Sequence, residues 1–135
     1  MEHNYYNTFI EVAEDCPVPA SEVPARKGDK PTIAVIHFEL IAEHPYEFTQ
    51  EDILFETYAR THDIPEDQRA AEREKFFAKG QPCLRTSPLC KRYGWGFHHD
   101  EEGRVALYPR GSAAYEQFAS TDTLKHLKGM RSKRA

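Results

Sequence analysis

The sequence has little that could cross a membrane or be held together by disulfides. Its longest apolar run, around Ile33 to Ile36, is interrupted by His37 and Glu39, far short of the roughly 20 residues that a span requires. No membrane segment is expected. Cysteine is scarce and odd in number, with Cys16, Cys83 and Cys90 alone, which would strand a thiol in an oxidising compartment; reduced cysteines are the reading. The opening MEHNYYNTF has neither the basic start nor the apolar core of a secretory signal. Together these point to a cytoplasmic protein. No internal repeat and no interdomain linker are visible. At 135 residues, 39% of them hydrophobic, the chain can bury a core of its own, so one domain over 1–135 is expected, with a basic tail at 129–135 that frays.

Motifs that would declare an activity are missing too. Ser87 precedes Pro88 and stands in no G-x-S-x-G elbow. Cys83, Cys90, His98 and His99 carry metal-ligating atoms, but the six-residue gap between the cysteines is wider than the tight pairs of zinc knuckles, and no metal site is expected. The sequence identifies no cofactor.

What is present is, first, an uneven charge. The net charge of −4 divides into 15 acids and 5 bases over residues 1–69 and 7 acids and 13 bases over 70–135. The halves suit internal or oligomeric complementarity, or else a basic face for an anionic partner. The pattern of residues then predicts the elements. Tyr6, Thr8, Ile10 and Val12 alternate with Asn7, Phe9 and Glu11, giving a strand with one buried face. Four prolines make a loop of 16–31. Ile33, Ile36, Leu40 and Ile41 share a helical face, so 32–44 is read as a helix ended by Pro45. Thr49 and Asp52 resemble a capping box that starts a short turn, after which ILFETYAR (53–60) alternates and is read as a strand. Residues 65–79 form a helix with Gly80 as a left-handed stop. Trp95 to Tyr108 is a hairpin turning at Asp100 to Gly103. Ser112 caps a helix through Phe118, and 122–128 is read as another short helix. The fold class is therefore α+β: an antiparallel sheet with a C-terminal hairpin, packed by three or four helices.

Chemistry is concentrated in CLRTSPLCKRYGWGFHHDEEGRVALY, Cys83 to Tyr108. Arg85, Lys91 and Arg92 supply guanidinium and ammonium donors, Ser87 a hydroxyl, and Tyr93 and Trp95 stacking surfaces, a group set that holds phosphate or carboxylate. These six are the candidate ligand-binding residues. Cys90, beside two cations, and His98, followed by His99 and Asp100, are the candidate catalytic residues. Adjacent strand residues face opposite ways, however, so Asp100 is read as a turn residue. His37, His44 and His62 stand singly and are read as surface or hydrogen-bonded histidines.

The blocks NYYNTFIEVAEDCP, HPYEFTQEDILFE, FFAKGQPCLRTSPLCKRYGWGFHHDEEGRVALY and KGMRSKR resemble a bacterial family of small proteins of unknown function, domain of unknown function 6157. That resemblance implies a single-domain, cytosolic bacterial protein and transfers no catalytic residue. A shorter likeness, to small bacterial proteins of the MmcQ and YjbR type, rests on Lys91, Arg92, Tyr93 and Trp95 and implies a DNA-binding or ligand-binding role. The function expected is binding of an anionic small molecule, a nucleotide or phosphorylated metabolite, through Arg85 to Trp95. The alternatives are nucleic-acid binding through the same cations and the five cations of Lys125 to Arg134, an enzyme using Cys90 or His98, and a structural or protein-interaction domain.

Overall fold

The computed structural model describes residues 4–26 and 28–132. The alternation near the N-terminus produces β1 (Thr8–Glu11), and the expected hairpin is β2 (Trp95–His99) with β3 (Val105–Pro109). Its turn follows from local chemistry. Asp100 Oδ1 accepts from the backbone N–H of Glu102 and of Arg104, each at 2.9 Å, and Gly103 takes a φ of +82° that a side chain would resist. β1 pairs antiparallel with β2 in the register Phe9↔His98.

The sheet is completed by a strand that the sequence reading makes a helix. Lys125–Lys128 forms β4, parallel to β1, in the order β3-β2-β1-β4. Seven residues between Asp122 and Lys128 cannot hold an isolated helix against its nucleation cost. Pairing with β1 offers a ladder instead, with Lys125 N–H donating to Asn7 O at 2.8 Å and Gly129 N–H to Glu11 O at 2.7 Å. The α+β class stands, with a sheet that is mostly antiparallel and has one parallel pair. Of the expected tail, residues 133–135 lie outside the described residues; Ser132 N–H donates to Asp15 Oδ2 at 2.8 Å.

Helix α1 (Ile33–Ala42) is capped by Thr32, whose Oγ1 accepts from Val35 N–H, and it buries Val35, Ile36, His37, Leu40 and Ile41. The expected 53–60 strand is instead part of α2 (Gln50–Thr61). The Thr49–Asp52 capping box is complete in both directions, with Asp52 N–H donating to Thr49 Oγ1 and Thr49 N–H to Asp52 Oδ2. It launches three turns of helix rather than a single one. The misleading alternation has a physical origin: Ile53, Phe55, Thr57 and Ala59 are all buried because the helix is packed from more than one side, so burial at every second residue carries no strand signal. Glu66–Gln68 forms a 3-10 turn leading into α3 (Arg69–Ala78). The chain leaves α3 through Lys79 in extended conformation, so Gly80 is not the left-handed stop expected. Two short helices follow, α4 (Pro88–Lys91) and α5 (Ala113–Ala119), the latter capped by Ser112.

α1, α2 and α4 cover one face of the sheet, burying Ile10, Ile36, Leu40, Ile53, Leu89, Phe97 and Val105 together. α5 covers the other, where Phe9 and Tyr115 pack with Tyr108 and Phe118. β1 is consequently buried on both faces, not one. Gly96 is what lets α5 sit down, since a Cβ there would come within 2.7 Å of the Tyr115 ring. The β3 edge is covered by the segment after α1: Tyr46 N–H donates to Val105 O, and Val105 N–H to Phe48 O. No helix among the described residues is long and apolar enough to cross a membrane.

Candidate functional site

The segment from Leu84 to Trp95 is positioned by what it buries. Leu84, Leu89 and Cys90 face the core with no exposed surface, and Ser87 starts α4 as its N-cap, its Oγ accepting from Leu89 N–H at 3.2 Å with Pro88 as first helical residue. Gly94, at φ +80°, turns the chain into β2. A Cβ there would press on Ser21 Cα at 3.1 Å, and Ser21 Oγ donates to Gly94 O.

This packing spreads the six candidate ligand residues apart. Arg85 reaches toward the sheet edge, where its Nε donates to Lys128 O at 2.6 Å. Lys91 is half-buried and Arg92 is exposed. Tyr93 and Trp95 hold the proline-rich loop: Tyr93 O accepts from Glu22 N–H at 2.8 Å, Trp95 Nε1 donates to Glu22 O at 2.9 Å, and the indole meets Phe38 edge-on at 5.3 Å. Only Ser87 turns toward a different neighbourhood.

There Ser87 meets His37. Ser87 Oγ lies 2.8 Å from His37 Nδ1, both side chains being buried. Ser87 Oγ accepts from Leu89 N–H and keeps a second lone pair and its own hydrogen, so it either accepts from or donates to His37 Nδ1 according to the imidazole tautomer. Burial lowers the His37 pKa from 6.5 to about 4, so the ring is neutral at physiological pH. The pair lines a half-open cavity of about 360 Å³ between α1, α2, the end of α3 and residues 81–88. Its remaining wall is largely apolar or aromatic, with Ile33, Leu54, Tyr58, Phe76, Pro82 and Pro88, and it contains no Lys, Arg, Asp or Glu. The hydroxyls of Thr57 and Thr86 donate to backbone carbonyls, Ile53 O and Cys83 O, at 2.7 Å each. They therefore turn lone pairs, not hydrogens, outward. The arrangement can enclose an apolar body and hydrogen-bond one polar atom on it.

The two candidate catalytic residues sit elsewhere. Cys90 has no exposed surface, its Sγ lies 3.5 Å from the carbonyl oxygens of Leu84 and Ser87, and burial pushes the thiol up to about 12. It is protonated at neutral pH despite the two cations that follow it in sequence, and so is not an activated nucleophile. His98 is half-buried on the α5 side. Its Nδ1 is 2.8 Å from Tyr46 Oη, which is 2.7 Å from Tyr108 Oη, and Phe118 stacks on the imidazole at 4.1 Å. Burial lowers its pKa, opposed by the Asp100 carboxylate. Asp100 serves the turn, as its residue type suggests. Among the described residues no group of three or more His, Cys, Asp or Glu is placed to hold a metal ion.

His37 is the residue that sequence reasoning sets aside. A signal was available, since it falls four residues after Ile33 on the apolar face of α1, where a polar side chain requires a partner. Tyr58 was hidden by the reading of 53–60 as a strand, which does not bring it beside Phe76 of α3. No curated protein and no solved structure matches the chain. A family profile does so from end to end, over residues 1–135, and the protein belongs to the family of unknown function DUF6157.

Proposed function

We propose that the protein is a small-molecule-binding domain whose ligand occupies the cavity between α1, α2, the end of α3 and residues 81–88. One observation carries the reading: a buried, hydrogen-bonded Ser87–His37 pair lines an otherwise largely apolar hollow. A core-only role for the pair would be served by a packed surrounding, whereas space beside convergent polar atoms is the form that ligand sites take. The anion expected at Arg85, Lys91 and Arg92, and the nucleic-acid alternative that shares those cations, draw no support from a common hollow, because of that segment's candidates only Ser87 lines this cavity. Catalysis by Cys90 would need a thiolate that its burial opposes.

The test is thermal unfolding of the full chain with 1-octanol, phenol and indole. A compound that binds the folded state alone raises the melting temperature, by an amount that grows logarithmically with its concentration relative to Kd. A shift is expected for at least one, and Leu54→Trp, which places an indole in the cavity wall, should remove it while circular dichroism shows the fold retained. No shift with any compound, or an equal shift in the folded Leu54→Trp variant, would overturn the reading.

A further inference from the structure

A second hollow of about 360 Å³ adjoins the first, and the two share Tyr58, Phe76 and Gln81 as lining residues. Its other walls are Glu72, Lys75 and Lys79. The shared residues stand between a chamber without Lys, Arg, Asp or Glu and one lined by two lysines and a glutamate. Gln81 is tied back by its Nε2 donating to Phe76 O at 2.7 Å, and the Phe76 ring leans on Tyr58 with centroids 4.8 Å apart. In the second hollow the single acid, Glu72, lies 3.6 Å from Lys75 Nζ. Lys79 is exposed and forms no ion pair among the described residues. Two ammonium groups thus face one carboxylate, leaving a net positive charge where a ligand extending out of the apolar chamber would end.

We infer that the ligand is an amphipathic organic anion, a carboxylic acid of medium length whose apolar body fills the Ser87–His37 cavity and whose carboxylate rests between Lys75 and Lys79. This deepens the proposed function and rests on it. The assignment gives each chamber the chemistry its walls provide: no Lys or Arg lines the space for the body, and the head group stays in water, where an ammonium contact adds a modest attraction without a desolvation cost.

Isothermal titration of the full chain with octanoate and with 1-octanol at low salt separates the two layers of inference. The Lys75→Gln/Lys79→Gln double variant should weaken octanoate about three- to five-fold, the size expected of exposed charge pairs, and leave octanol unchanged; 0.5 M salt should do the same to the native chain. Lys125→Gln, on β4, should leave both affinities as they were. If octanol binds but the double variant holds octanoate as tightly as the native chain does, or if Lys125→Gln weakens octanoate equally, the head-group assignment falls and the cavity reading stands. If the native chain binds neither octanoate nor octanol while phenol or indole still raises its melting temperature, the medium-length acid falls and the cavity reading stands; if none of the four binds, both fall.

Discussion

Two imidazole–hydroxyl pairs among the described residues join distant parts of the chain at the same separation. Ser87 Oγ meets His37 Nδ1 at 2.8 Å on the helical side of the sheet, and Tyr46 Oη meets His98 Nδ1 at 2.8 Å on the α5 side. Their surroundings differ. His37 and Ser87 are buried and border a cavity. His98 lies flat against Phe118, and Tyr46 is further bonded to Tyr108 and held by its backbone to Val105, so the second pair fastens the segment after α1 to the sheet edge. A hydrogen-bonded histidine marks a binding site only where there is room beside it, and its bond length alone distinguishes nothing.

Acid offers the largest test of that contrast. The pKa values of His37 and His99 fall from 6.5 to about 4 and about 3, chiefly because burial disfavours the charged ring. In each case the unfolded chain takes up a proton that the folded chain refuses. Stability is therefore full above pH 6.5 and is lost as the pH drops below it, until the folded pKa is reached. At pH 5 the cost is about 2 kcal/mol for each group, about 4 kcal/mol together. Urea unfolding at pH 7.5 and pH 5.0 measures it, and His37→Gln should recover about half of the loss. The half-buried His98 should contribute little, so a loss that survives in the folded His37→Gln variant but disappears in His98→Gln would reverse the comparison.

Removing the hydroxyl from the buried pair comes next. Ser87→Ala deletes the cap of α4 and leaves His37 Nδ1 without its hydrogen-bond partner in a buried setting. Loss of a helix cap and an orphaned buried polar atom typically cost about 1 to 2 kcal/mol each, so a destabilisation of about 2 to 4 kcal/mol is expected from the shift in urea midpoint. A change of a few tenths would mean that solvent already reaches the pair.

The legible parts of this molecule are those written in neighbouring residues. The β2–β3 turn is encoded by Asp100 and Gly103, and α1 by Thr32 and the spacing of its apolar residues. The start of α2 is encoded by Thr49 and Asp52, although the alternation that follows hides its length. β4 was illegible because Lys125 to Lys128 become a strand only beside β1, from the other end of the chain. The candidate site shows the same limit. Ser87 stood out as a hydroxyl among cations, whereas His37 was read only as a lone surface or hydrogen-bonded histidine; they lie 50 positions apart, and nothing local joins them. The cations beside Ser87 drew attention to charge, whereas what folding brings to that hydroxyl is a buried imidazole and the wall of a cavity.

The smallest effect belongs to the second pair. Tyr46→Phe removes a hydroxyl bonded to both His98 and Tyr108, yet all three side chains are only partly buried, and water can take over the bonds that are lost. The ring would remain edge-on to His98 at 5.7 Å, and the backbone bond to Val105 would be untouched. Tyr46 also occupies a φ of +59°, unusual for a bulky residue, and the phenylalanine keeps that conformation, so no strain is relieved. A net loss of about 1 kcal/mol or less is expected, clearly below that of Ser87→Ala under the same conditions. Equal losses would show that the His98 side is as sealed from water as the His37 side, and burial would no longer separate the two pairs.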